Sequence, residues 1–473
     1  MSVRYQKLNK IEDPLVFLNV KHPIMNGEIV SIKTPNGELR NGKVLKMNKD
    51  LACIQIFQGT EGLDLTNTEI TFLDDLFRIG ISKDMRGKVF DGQGRLKVES
   101  NNEYTTEIIP EVIRGINGFP INPTRREYPR DIIFSGISVI DGLNTLVRGQ
   151  KLPIFSGQGM SHNKLAAQIV TQGKVTTGED FLTIFIGIGI LQDDAIFFRK
   201  KFEESGKFQN VISFINQATD PTIERILIPR VGLTVAEYFA FDLDMHVLVV
   251  MNDMTNYCEA LREISAAKVE IPGRKGFPGY LYSDLASLYE RAGRIKGREG
   301  SITQIPILSM PNDDISHPIP DLTGYITEGQ IVLTRELHRK GIYPPVDILS
   351  SVSRLMKDSI GKENTREDHP DVVSQLFEFY SKSKELKELE SIIGEESMTS
   401  IDRKKLKFSK DFEEYFINQS FKEDRSIEQT LDIAWALLSK IPKNHILRIN
   451  KDEINKYYNK NLNVEELTRK GID

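Results

Sequence analysis

From about residue 14 to 78 the chain alternates short apolar runs with Asn-Gly or Gly-rich turns. Residues 16–20, 28–32, 42–47 and 53–57 are strand-length, and Asn26-Gly27, Pro35-Asn36-Gly37 and Asn41-Gly42 separate them. Such turns at regular spacing predict a small antiparallel barrel. From about 79 to 365 the period changes. Strand-like runs at 152–155, 181–188, 210–215 and 247–251 are each followed by an amphipathic stretch, at 164–172, 193–205, 236–243 and 255–266. Strand–helix alternation predicts a mostly parallel sheet covered by helices on both faces, an α/β architecture. From Asp371 onward few strand signals remain, and 372–380, 409–418, 427–438 and 451–460 read as helices. The expected organisation is a β-barrel over 1–78, an α/β domain over 79–365 and a helical domain over 366–473.

Composition narrows the classes. At 473 residues and 39% apolar the chain is long enough for two or three cores. Its 62 basic and 67 acidic residues are intermixed and leave a net charge of −5, with no basic footprint for nucleic acid. The two cysteines, Cys53 and Cys258, and seven scattered histidines predict a reducing setting, free thiols and no metal site. Met1 to Pro14 is polar and does not read as a signal peptide. The longest apolar runs fall far short of the roughly 20 residues of a membrane span, so any membrane association is expected through partners.

The strand at 152–155 leads into Ser156-Gly157-Gln158-Gly159-Met160-Ser161-His162-Asn163-Lys164 and then a helix. This is the local structure of a phosphate-binding P-loop. Laid on the template G-x-x-x-x-G-K-[ST] from Gly157, the second glycine falls at His162, the lysine at Asn163 and the Ser/Thr at Lys164. A histidine crowds the turn where backbone N–H groups approach a phosphate. Asn163 supplies no cation. Lys164 is one position late, which turns its side chain by roughly 100° and removes the hydroxyl that would hold Mg²⁺. Alone, the loop fits an ordinary glycine-rich βα turn equally well. The run 247–251 sits where a Walker B strand would, but the residue that should carry the metal carboxylate is Asn252, and Asp253, one later, is expected to face elsewhere.

Pro344-Pro345-Val346-Asp347-Ile348-Leu349-Ser350-Ser351-Val352-Ser353-Arg354 resembles the signature shared by the α and β subunits of rotary ATP synthases. The segments Asp253 to Ser265, Pro272 to Tyr282, Tyr289-Glu-Arg-Ala-Gly-Arg, Ser156 to Asn163 and Ile319 to Ile331 are similar to the beta-chain family of V-type (A/V-type) rotary ATPases. The resemblance covers essentially the whole chain, with one departure: Ser161 stands where the family usually has proline. It implies a RecA-type central domain between barrel and helical bundle. In catalytic relatives a glutamate that orients the attacking water follows the second glycine of a run like 184–191; here that residue is Ile190. Lysine, metal carboxylate and water-positioning carboxylate are then all missing.

The resemblance implies a non-catalytic regulatory subunit, alternating with catalytic A subunits in a hexameric ring around central shaft subunits, braced by a peripheral stalk. The complex would be peripheral, on the cytoplasmic side of a membrane, and coupled to a proton- or sodium-translocating rotor. ATP or ADP with Mg²⁺ would lie at the interface, bound mainly by the partner, with none held tightly by this chain alone. Arg354 stands where the family places its arginine finger, with Ser351 and Ser353 beside it as further candidates at that ATP site. A planar guanidinium meets the charge of a transferring phosphoryl group with two N–H donors, which lysine cannot imitate. Arg274, Lys275, Gly276 and Phe277 lie in the loop that lines the shaft bearing in the family. The alternatives are a catalytic NTPase of a related rotary or export ATPase, which requires Gly-Lys-Thr at 162–164 and a glutamate near 190, and a nucleic-acid-translocating hexamer, which requires an intact P-loop and basic channel loops. Arg125, Arg126 and Arg130 read as solvated charge, His246 as a hydrogen-bonded core residue, Asp313-Asp314 near His317 as no metal site, and 382–390 as a solvated helix face.

Overall fold

A computed structural model describes residues 3–97, 108–175 and 179–469. The N-terminal expectation sharpens to a curled half-barrel. Seven antiparallel strands run in the order Arg4–Tyr5, Glu69–Leu76, Glu28–Lys33, Leu39–Asn48, Leu51–Ile56, Leu15–Asn19, Lys10–Glu12, and the two edge strands do not pair with each other. Alternating residues (Val16 and Leu18, Val30 and Ile32, Ile54 and Ile56) point inward and form the core with Val44, Ile70 and Phe72.

The central sheet has ten strands. Its main path is Val352–Ser353, Gly329–Val332, Ile154–Gly157, Ser301–Met310, His246–Asn252, Phe181–Ile190, Val211–Gln217, Val89–Phe90. Every pair on that path is parallel except Gly329–Val332 with Val352–Ser353. Both faces are buried, and successive side chains divide between them. Ile184, Ile186, Val247 and Val249 enter one core, where the helices Thr222–Phe241, Met254–Ala267 and Leu281–Tyr289 pack. Phe185, Leu248, Val250, Ile305 and Ile307 enter the other, with the helices His162–Gln172 and Gln192–Glu204. That second core runs without a break into the C-terminal helices His369–Ile393 and Ile427–Leu438 through Phe379, Leu431 and Trp435.

The helix Thr222–Phe241 is far longer than the stretch 236–243 expected. Pro229 and Gly232 disguise it: proline removes an intrahelical donor, and both residues read as breakers. Gly232 is needed because a Cβ there would lie 2.4 Å from Ile186 of the sheet beneath. Among the described residues no helix is long and apolar enough to cross a membrane.

Candidate functional site

The strand Ile154–Gly157 ends at the centre of the sheet and turns through Gly159, at φ +73°, into the helix His162–Gln172. The sequence thus folds as a phosphate loop would, but its side chains close on one another. The His162 ring turns back to the strand, with Nδ1 3.2 Å from Ser156 Oγ. Asn163 accepts a 2.8 Å hydrogen bond from Asn252 Nδ2. The two residues that replace lysine and metal carboxylate therefore form a neutral amide bridge between loop helix and central strand. Asn252 is buried, and its own side-chain oxygen has no protein partner. Lys164 is exposed, one position past the place a lysine would need.

Asp253 does face elsewhere. It caps the helix Met254–Ala267, accepting from Thr255 N–H at 2.8 Å, and takes the N–H and hydroxyl of Ser309. Ile190, 5% exposed, packs into the core with Phe185, Ala195 and Phe198, leaving no carboxylate at the end of its strand. Among the described residues no cluster of His, Cys, Asp and Glu could hold a metal ion. The side chains at this loop do not fit a magnesium nucleotide: cation, metal ligand and water-orienting base are each replaced by a group already engaged in the fold.

One feature escaped the sequence. Arg335 lies over the loop, donating to the Gln158 carbonyl at 2.9 Å and forking onto Asp313. The Asp313 carboxylate sits so close that a Cβ at Gly157 would be 2.3 Å from it. Arg335 holds the Asp313 carboxyl below its ordinary range. The signal was the charge of both residues, but they are 22 apart in sequence and Arg335 is 177 from Gln158.

Arg354 emerges at the other end of the same strands. Gly329 pairs with Ser353 in the antiparallel hairpin, and Ile331 pairs with Ile154 in parallel. That register places Arg354 level with Glu328 and Lys151, at the amino ends of the strands, whereas the loop is at the carboxyl ends. The Arg354 N–H donates to the Glu328 carbonyl at 3.0 Å. Its guanidinium is exposed, touches only the Thr327 carbonyl at 3.3 Å, and among the described residues makes no ion pair. A charged fork so placed is open to an anion from solvent. The neighbouring hydroxyls are occupied. Ser351 Oγ accepts from Val332 N–H and donates to the Asp347 carbonyl, and Ser353 Oγ accepts from Gln150 and donates to the Thr145 carbonyl. Both serines are buried and hold the hairpin that presents the arginine.

The loop carrying Arg274, Lys275, Gly276 and Phe277 is a tight turn. Gly273 N–H donates to the Phe277 carbonyl at 2.8 Å, and Lys275 and Gly276 take φ of +52° and +83°. Phe277 is buried against His317, whereas Arg274 reaches Asp321 at 2.8 Å and Lys275 reaches Asp314 at 3.1 Å. The Ser316 hydroxyl, then Lys275, draw the Asp314 carboxyl down to about 2. Val269 and Ile271 beside the turn are 89% and 91% exposed, an apolar face that the described residues leave uncovered.

The remaining candidates resolve into structure. His246 is buried between Arg148 and Ser301, and burial and that arginine lower its pKa. Arg126 pairs with Glu290, while Arg125 and Arg130 are exposed. Cys258 is buried, Cys53 partly so, and both are free thiols.

Residues 136–353 match the ATP synthase alpha/beta family, nucleotide-binding domain, and residues 358–458 match the C-terminal domain of V and A type ATP synthase. A V-type ATP synthase beta chain from Thermotoga neapolitana is 56% identical over 459 residues, covering 97% of this chain and 99% of the relative. Another, from Halothermothrix orenii, is 53% identical over 469 residues, covering 98% and 99%. A solved ATP synthase subunit from Nanoarcheaum equitans, 39% identical, superposes with a TM-score of 0.71 over 90% of this chain and 99% of that one.

Proposed function

The chain belongs to the family of V-type ATP synthase beta chains, and on that premise we propose that it is the non-catalytic member of an alternating ring, giving Arg354 to an ATP site whose phosphate loop belongs to the neighbouring catalytic subunit. The observation that carries the reading is the exposed Arg354 guanidinium, which among the described residues makes no ion pair and is held by its backbone to the Glu328 carbonyl. The closed loop supports it from the other side, since Asn163, Asn252, Asp253 and Ile190 leave this chain no machinery of its own for hydrolysis. A guanidinium that arrives from outside meets negative charge on the transferring phosphoryl group, and it does so only when the two subunits are closed on each other. Turnover thereby depends on assembly. ATP or ADP with Mg²⁺ is held by the partner, the turn at Arg274–Phe277 faces the shaft subunits, and the complex drives proton or sodium transport through a membrane rotor.

The test is a ring reconstituted from this chain and its catalytic partner. Arg354→Ala assembles but loses about 10³–10⁵ of its turnover, and Arg354→Lys recovers little because an ammonium lacks the fork. Turnover near wild type in Arg354→Ala rings would overturn the assignment.

A further inference from the structure

Arg354 has an acidic residue at its side, and the fold keeps that residue occupied. Glu328 accepts the Arg354 N–H on its backbone carbonyl at 3.0 Å, and Thr327, one residue earlier, accepts the guanidinium at 3.3 Å. A free Glu328 carboxylate is thus within a side chain's reach of the guanidinium. It is instead turned toward Lys151. The Lys151 ammonium lies 2.8 Å from one Glu328 oxygen, and the Lys151 N–H donates to the other at 2.8 Å. Glu328 N–H returns a 3.0 Å bond to the Lys151 carbonyl. The ammonium also meets Glu290 at 3.0 Å, and Glu290 is shared with Arg126 at 2.6 Å.

Lys151 is 2% exposed, at the start of the segment that leads into the phosphate-loop strand. A buried lysine is costly to keep and is retained only where it is paired. An apolar side chain there would serve the packing as well or better. What an apolar side chain cannot do is grip Glu328. An arginine paired with a carboxylate in its own chain has neutralised the charge that a phosphoryl group would need.

We propose that Lys151 is a positioning residue for Arg354: by sequestering the Glu328 carboxylate it keeps the guanidinium free for the neighbouring subunit's site. The inference rests on the reading of Arg354 as a finger supplied in trans. Replacing the Lys151 side chain leaves the Glu328 carboxylate only the backbone N–H of residue 151, so the carboxylate can turn onto Arg354 and quench it. Removing the Glu328 charge as well leaves nothing to quench.

The experiment compares reconstituted rings carrying Lys151→Met, Glu328→Gln, the double variant and Arg354→Ala, with kcat and KM for ATP measured separately. Lys151→Met lowers kcat about tenfold or more, short of the roughly 10³-fold loss of an absent finger, with KM little changed. Glu328→Gln alone turns over near wild type, and the double variant recovers most of the lost kcat. A purely structural role for Lys151 gives no such rescue. Should Lys151→Met rings fail to assemble, Lys151→Gln, which retains a donor in the buried position, is read in the same scheme. Wild-type turnover in the lysine variants, or a double variant as slow as the single one, overturns the inference while leaving Arg354 in its role. Wild-type turnover in Arg354→Ala overturns the finger itself.

Discussion

Asn252 donates from Nδ2 to the side-chain oxygen of Asn163 at 2.8 Å, tying the loop helix to the central strand without charge on either side. The bridge is the last side-chain partner of a buried amide whose oxygen is already unpaired. Asn163→Ala leaves Asn252 with no partner at either end, and unfolding in denaturant is expected to show a loss of about 1–3 kcal/mol. An unchanged midpoint would mean that water satisfies the site.

Repairing one position does not restore chemistry. Purified alone with Mg²⁺ and ATP, the wild-type chain is expected to show no turnover, and Asn163→Lys the same, because Asn252 and Ile190 still supply neither metal ligand nor base. Nucleotide titration of the isolated chain by calorimetry should show weak binding or none. Micromolar affinity, or measurable hydrolysis, would sink the reading of the loop.

The hairpin behind Arg354 depends on a glycine. Gly329 has φ +143°, and a Cβ there would lie 2.2 Å from the Val352 carbonyl. Gly329→Ala should cost more than about 1 kcal/mol, and in reconstituted rings it should depress kcat by displacing Arg354. A variant with normal turnover would show that the arginine finds its place without this hairpin.

Arg274 and Lys275 form exposed ion pairs with Asp321 and Asp314, and Arg274 also donates to the Ser316 carbonyl at 2.7 Å. Removing both charges is expected to change the stability of the chain by less than about 1 kcal/mol, while weakening retention of shaft subunits in an affinity pull-down of the reconstituted complex. Undiminished retention would refute the bearing role.

Asp141 gives the chain a pH dependence. It is buried and accepts from Ser135 and Gly136, yet burial pushes its carboxyl up from 3.8 to about 6. The folded chain then holds a proton that the unfolded chain has released. The associated stability is fully present below 3.8 and is lost as pH rises through about 6. Relative to Asp141→Asn, the wild type should lose up to about 3 kcal/mol between roughly pH 4 and pH 7. Parallel denaturation curves across that range would contradict this.

Much of the site was legible because its signals are local. Gly157 to Lys164, Asn252 and Ile190 each sit at the end of an apolar strand and can be laid on a template residue by residue. What brings them together was not. Asn163 and Asn252 are 89 residues apart, and nothing in either predicts the bond. The strand Ser301–Met310, central to the sheet, was missed because Thr303, Gln304 and Pro306 interrupt its apolar run, though Thr303 and Gln304 are fully buried. The serines beside Arg354 stand as candidates at the ATP site by resemblance, and a sequence shows their hydroxyls but not the carbonyls that accept them.

The acidic pair 313–314, which the sequence marks only as no metal site, has two addressees. Asp313 answers to Arg335, which lies over the loop at Gly157–Lys164, and Asp314 to Lys275 on the turn beside the exposed Val269 and Ile271. Asn312 and Asp313 both take left-handed φ, which aims the adjacent carboxylates apart. A single peptide bond is therefore the pivot between two loops that lie far apart in sequence. A shift large enough to drag either aspartate arrives at the other loop as a tilt, so the loop at Gly157–Lys164 stays mechanically in touch with the turn at Arg274–Phe277.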